Sequence, residues 1–163
     1  MEDNTNATDK VSFGATKGIA LQLNMDVNMH LVLRDENGEI KDERLVHNTV
    51  TTAGKNAVAD QILAAPSLVK MGWMAVGTGS PAATLLGAET ARVAFTSKTR
   101  GANSVITVVG DFPAGTGTGA LTEAGTFDVV TANTVNMWMS ASFSVINKGS
   151  LDSLSVSWTL TIS

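Results

Sequence analysis

The sequence predicts an all-β protein: a β-sandwich or jelly-roll-like domain with one short α-helix, at about residues 52–64, and an extended N-terminal arm. Three observations predict it. Apolar and polar residues alternate in several long runs, the side-chain period of a strand with one buried face. Turn signals rich in Gly, Asn and Ser separate those runs. The composition has 15 Gly, no Tyr, 16% charged and 5% aromatic residues, a balance nearer to β-rich structural proteins than to helical ones. With 163 residues, the chain reads as an arm, 1–17, and one domain, 18–163. That length suffices to bury roughly two thirds of the unfolded surface.

The elements follow in order. Residues 1–17, MEDNTNATDKVSFGATK, are polar and patternless apart from Val11 and Phe13, a composition that orders on a partner rather than alone. From Ile19 to Leu33 every odd position is apolar, with Asn24, Asp26, Asn28 and His30 among the residues between. This predicts one strand, longer than the usual 5–6 residues or so and therefore open to a bulge or a change of sheet. Asn37-Gly38 supplies a hairpin turn, and IKDERLV returns as a charged edge strand. Next comes the helix: Thr51 or Thr52 caps it, Ala57, Val58, Ile62 and Leu63 form its apolar face, and Pro66 stops it. It is expected to cover one end of a sheet.

Everything after the helix reads as strands and turns. KMGWMAV is a continuous apolar run holding Trp73, ARVAFTSKTR is one strand, and NSVITVVGDF is rich in β-branched residues. PAGTGTGA is a glycine loop and LTEAGTFDVV a further strand. Two matched alternations close the chain. The first places Val135, Met137, Met139, Ala141, Phe143 and Val145 on one face, and the second Leu154, Val156, Trp158, Leu160 and Ile162. INKGSLD joins them as a hairpin turn. Trp73 and Trp158 are expected in the core. Trp138 falls on the Asn/Ser face of its strand, which marks either a strand buried on both faces or an aromatic anchor in an interface.

Charge and chemistry narrow the function. The net charge of −4 comes with no Lys/Arg run, so nothing supports a nucleic-acid footprint. With no Cys there is no disulfide framework or thiolate metal site. MEDNTNATDK lacks the apolar region of a secretory signal, and no apolar run approaches the ~20 residues of a membrane helix. A soluble protein made in a cytoplasm is expected. Of the 26 charged residues, 16 lie in residues 1–60, leaving the rest with a weakly charged surface suited to burial against neighbouring subunits.

Gly77-Thr78-Gly79 resembles a phosphate-binding loop, but a Walker loop needs Lys and Ser/Thr after its last Gly. A dinucleotide fingerprint needs the βαβ alternation missing here. His30 and His47 stand in no triad or metal-ligand spacing. Asp26, Asn28 and His30 share one face, which can hold a cation or simply be polar. No pair of groups supports a catalytic mechanism, so the expectation is no enzyme, no cofactor and no metal. Glu89 and Arg92 read as an ion pair fixing a loop or as contacts to a neighbouring subunit. As an exposed pair they contribute only about 0–1 kcal/mol, so orientation or interface specificity is the better motive. Glu123 and Asp128 flank AGTF.

Three segments, AVGTGSPAATLLGAETAR (75–92), DFPAGTGTGALTEAGTFD (111–128) and NKGSLDSLSVSWTLTI (147–162), follow AGKNAVADQIL in order. Together they resemble small virion structural proteins of tailed bacteriophages, a grouping that includes head decoration (cement) proteins and tail-fibre attachment domains. The resemblance covers residues 48–162. The compact length, the polar arm and a chain that stops on its last strand fit a decoration protein better than a long fibre. The resemblance implies a non-enzymatic protein that assembles, often as a homotrimer, on the major capsid protein at the virion surface after synthesis in the host cytoplasm. No nucleic-acid or membrane partner is expected. The expected interface residues are Val11, Phe13, Arg34, Arg44, Gly77, Gly79, Glu89, Arg92 and Trp138. A tail-fibre or baseplate adaptor is the alternative. A glycan or host-surface module using Trp138 and the polar face of residues 22–28 is a second.

Overall fold

In the computed structural model, which describes residues 24–63 and 70–163, two antiparallel five-stranded sheets pack face to face. The strands are β1 (Met25–Arg34), β2 (Ile40–His47), β3 (Thr49–Val50), β4 (Trp73–Gly77), β5 (Glu89–Ala94), β6 (Ser97–Arg100), β7 (Val105–Phe112), β8 (Gly119–Phe127), β9 (Met137–Lys148) and β10 (Ser153–Ile162), with helix α1 (Thr52–Ile62) between β3 and β4. The first sheet has the order β2-β1-β10-β7-β6 and the second β3-β9-β8-β4-β5. This is the all-β sandwich with one short helix that the alternation predicts.

The core follows from parity. Val27, Met29, Leu31 and Leu33 of β1 pack with Leu154, Val156, Trp158 and Leu160 of β10 against Met74, Val76, Leu121, Ala124 and Met139 of the second sheet. The two strands are in register from Met25↔Ile162 to Arg34↔Ser153, so their outward residues form a hydroxyl- and amide-rich face. Ile19, Leu21 and Leu23, the upstream part of the same alternation, lie outside the described residues, as do Val11, Phe13 and Pro66. The charged strand β2 stands at a sheet edge, where charge discourages pairing with another chain.

Four expectations are corrected. ARVAFTSKTR is two strands in different sheets: Phe95 N–H donates to Gly72 O (3.0 Å) in the second sheet, and the next residue, Thr96, donates to Val109 O (2.8 Å) in the first. INKGSLD is no hairpin, because β9 pairs with β3 and β8 while β10 pairs with β1 and β7. The turn instead carries the chain between sheets around buried Lys148, whose Nζ donates to Asp152 O (2.6 Å) and Pro113 O (3.0 Å).

The alternation of β9 is broken by bulges. Trp138 is the extra residue where Thr126↔Met139 is followed by Phe127↔Met137, and the register slips again between Leu121↔Ile146 and Glu123↔Ser142. Met137 is therefore turned away from the main core, Ile146 is buried within it, and Val145 is left exposed. Finally, α1 does not bury Ile62 and Leu63, which are 75% and 74% exposed. It docks through its small first turns: Thr51 Oγ1 accepts from Gly54 N–H (3.0 Å) and donates to Met137 O, and Thr51 N–H donates to Trp138 O (3.0 Å). At Gly54 a Cβ would collide with the Trp138 carbonyl, so the helix approaches β9 at backbone distance.

Candidate functional site: the glycine loop and the outer layer of the second sheet

Strand β4 delivers the chain into the glycine loop, residues 78–88, which folds back over the outer face of its own sheet. Beneath that loop lies Glu123 of β8, fully buried and paired in register with Gly77. Its carboxylate accepts three backbone N–H groups: Oε1 from Ala88 (2.7 Å) and Gly79 (3.1 Å), and Oε2 from Gly87 (2.8 Å). Thr122 Oγ1 adds a donor to Gly79 O (2.7 Å). A Cβ at Gly77 or Gly79 would run into Glu123 Oε1 and the backbone at Ala88. Both glycines are therefore required by close approach. The loop does converge amide donors on an anion, as phosphate-binding loops do, but the anion is the protein's own carboxylate.

A second staple lies alongside. The Glu89 and Arg92 side chains are 1% and 2% exposed and pair in bidentate fashion, Nε to Oε1 at 2.9 Å and Nη2 to Oε2 at 2.8 Å. Arg92 Nη1 also donates to Val129 O (2.9 Å) and Thr134 Oγ1 (3.2 Å), while Asn133 N–H donates to Glu89 Oε2 (3.0 Å). The guanidinium sits 3.7 Å over the Phe127 ring, a cation–π contact strengthened by exclusion of water. The pair is thus buried rather than exposed, and it fixes the loop 128–136. Ala75, Leu86, Phe127 and Met137 form a small separate core in the same layer, and Met137 N–H to Thr84 O (3.1 Å) ties the two loops together.

Asp128 is the uncompensated group of this layer. Burial pushes its carboxyl above the usual range, against its own backbone N–H, Asn136 and the charge of Arg92. Its Oδ1 has no partner among the described residues, and Asn136 Nδ2 reaches Oδ2 only at 3.4 Å.

No protein-family model, curated protein or solved structure matches this chain. The site therefore stands on its geometry. That geometry brings together Gly77, Gly79, Glu89 and Arg92, and places the other expected residues elsewhere. Arg34, at the end of β1, donates to Gly38 O (3.0 Å) across its own hairpin. Arg44 of β2 forks onto Asp42 (3.0 and 2.7 Å) and reaches across to Ser144 O (2.8 Å) and Val145 O (3.0 Å) in the β9 bulge, tying the two sheets at their edges. The hydrogen bond from Arg44 holds the Asp42 carboxyl below its ordinary value. Trp138, half-buried under α1, packs against the sandwich core. On the outer face of the first sheet His30 Nε2 meets Glu43 Oε1 at 2.8 Å, and His47 Nδ1 lies 3.2 Å from Asn28 Oδ1 and 3.5 Å from Asp26 Oδ1. Among the described residues no three or more His, Asp or Glu side chains converge to hold a metal ion.

The residue that motif reasoning underrates is Glu123. Its signal is faint: one acid in an otherwise uncharged strand, Gly119–Phe127, set opposite a glycine.

Proposed function

We propose that this chain is a non-enzymatic virion structural protein of a tailed bacteriophage, a decoration protein that binds and stabilises the capsid shell. One observation supports this reading above the others: the three segments that carry the resemblance are interlocked by buried polar contacts. Glu123 of residues 111–128 is wrapped by the amides of Gly79, Gly87 and Ala88 in residues 75–92. Lys148 of residues 147–162 donates to Pro113 O, and Gly115 N–H donates to Ser150 O (2.8 Å). The resemblance thus follows the framework that holds the body together, not scattered turns.

In this reading the sandwich is a rigid body, and the gripping is done at its periphery by residues 1–17 and the charged β1–β2 hairpin, where Ile40 and Leu45 are exposed. The partner is the major capsid protein, the assembly a homotrimer, and the location the outer head surface. An added subunit reinforces marginal contacts between capsid subunits by burying more surface. Removing residues 1–17 is expected to abolish binding to heads lacking the protein while leaving a folded β-domain by circular dichroism. Unchanged head occupancy refutes the arm's role. A gold-labelled copy seen at the tail tip in negative stain would favour a tail adaptor instead. Nothing in the geometry favours the glycan module, because Trp138 is turned into the body and shares no surface with the outward Asp26 and Asn28.

A further inference from the structure

The tip of the β1–β2 hairpin carries a pair of residues, Asn37-Gly38, that do more than turn the chain. Asp35 N–H donates to Glu39 O (2.9 Å) and Gly38 N–H to Asp35 O (3.1 Å). These bonds close the loop 36–38 with Gly38 in the left-handed region at φ +84°, a hairpin connection that glycine permits. Asp35 Oδ1 accepts from both Asn37 N–H and Glu39 N–H, each at 2.9 Å, and Arg34 Nη1 donates to Gly38 O (3.0 Å). Asn37 is exposed among the described residues, and its side-chain amide makes no hydrogen bond with any of them. A Cβ at Gly38 would meet nothing within 4 Å, so the described structure is open around the glycine. No other asparagine of the chain precedes a glycine.

We propose that Asn37 is a site of spontaneous deamidation and that the turn anchored by Asp35 sets its rate. The Gly38 amide gives its proton to hydroxide, and its nitrogen bonds to Asn37 Cγ. The Cγ–Nδ2 bond then breaks, and the side-chain nitrogen leaves as ammonia with a proton from water. Water opens the cyclic imide that remains. Breaking the new Cγ–N bond leaves aspartate, whereas breaking the original peptide bond leaves isoaspartate, with the main chain rerouted through Cγ. Nothing is oxidised or reduced, and water is the co-reactant. Two features of the turn oppose the first step. Gly38 N–H is engaged by Asp35 O, and the nearby Asp35 carboxylate disfavours a further negative charge on the glycine nitrogen. Reaction adds an acid to Asp35, Glu36 and Glu39 at the tip. The isoaspartate form also lengthens the main chain inside a loop whose ends the Asp35–Glu39 bonds fix. The hairpin's charge and backbone therefore change with the age of the protein. The reaction does not depend on the proposed function, although it falls on the hairpin that reading assigns to the shell.

Full-length protein held in mildly alkaline, heavy-oxygen water and followed by peptide mapping provides the test. An acidic form is expected to accumulate in proportion to hydroxide, to carry one heavy oxygen at residue 37, and to accept methyl groups from an isoaspartyl methyltransferase. Asn37→Gln is expected to abolish that form. Asp35→Ala, which loosens the turn and removes the neighbouring charge, is expected to speed its appearance several-fold. Faster conversion at Asn103 or at any other asparagine overturns the site. So does an Asn37 that stays intact in the folded protein over the time in which it converts in urea-unfolded protein and in the Asp35→Ala variant alike. An Asp35→Ala rate equal to the parent's overturns the turn's hold on the reaction.

Discussion

Replacing Glu123 with Gln is the sharpest perturbation of the glycine loop, because it keeps shape and volume while removing the charge and one acceptor. In its better orientation the amide keeps its oxygen between Ala88 N–H and Gly79 N–H and points its NH2 at Gly87 N–H, donor against donor. The 2.8 Å bond to Gly87 is lost, and the 2.7 and 3.1 Å bonds become neutral ones. A hydrogen bond to a charged group contributes about 1.5–3 kcal/mol, and an orphaned buried donor costs about 1–3 kcal/mol. The expected destabilisation is therefore about 2–4 kcal/mol, or roughly 8 °C in melting temperature for a chain of this size. Thermal and urea unfolding measure it, and native-state hydrogen exchange localises it: Gly79, Gly87 and Ala88 amides should lose protection before the sandwich core does. Glu123→Ala goes further by emptying the cradle, so tens of millimolar acetate should raise the melting temperature of that variant and not of the parent. A Gln variant melting within about 1 °C of the parent, with Gly87 exchange unchanged, would refute the claim that this carboxylate holds the loop.

Two carboxylates give opposite pH dependences. Asp152 is held below its ordinary value by the hydrogen bond from Lys41 Nζ (2.7 Å) and then by that from Gly149 N–H. Its contribution is thus complete above the unfolded value of about 3.9 and is lost as pH falls through the lower folded value. Lys41→Met should flatten the loss of melting temperature below pH 4, and an acid limb identical to the parent's would contradict the assignment. Asp128 is pushed up by burial, so its contribution is present below about 3.9 and lost as pH rises through the higher folded value. Asp128→Asn should therefore stabilise by about 1 kcal/mol at pH 7, the gain shrinking as pH falls toward 4. A variant less stable than the parent at pH 7 would show that the charge is compensated after all.

How much of this was legible depended on whether burial left a trace in residue type. β1 and β10 bury one face along their whole paired length, so the period-two pattern marked the inward residues of both from Met25 onward and the extent of β10. β9 carries the same kind of pattern, yet the bulges at Trp138 and near Phe143–Val145 reverse its parity, and no Gly or Pro marks either place. The sheet change at Phe95-Thr96 is equally silent, being made by two consecutive backbone bonds. In α1 the capping Thr51 was readable, but the docked face was not, because Gly54 and Ala57 bury little side chain while the more apolar Ile62 and Leu63 face outward. Spacing paired Glu89 with Arg92 but could not bury them. That required the loop 128–136, whose partners for the pair are largely main-chain groups. Glu123 was hardest of all, since its three partners are backbone amides, which every residue but proline carries.

The glycine loop now bears on function in a different way from a ligand loop. A loop that awaits an anion must remain free to exchange donors between water and ligand, whereas this one has its donors permanently engaged by Glu123. Its neighbour 128–136 is held in the same manner by Glu89 and Arg92, and the two are joined by Met137 to Thr84. Around Glu123, Glu89 and Arg92 the second sheet is thereby covered on both faces, by the first sheet within and by pinned loops without, while Ser142 and Ser144 of β9 stay exposed. Among the described residues the first sheet has no such outer layer. Its outward face is the half-buried hydroxyl row of β10, from Ser153 to Thr161, flanked by Asp26, Asn28 and His30 of β1, and one edge is the charged β2. Under the proposed function, the outward face of the first sheet and the β1–β2 hairpin that follows Arg34 are where the described body has to meet the shell.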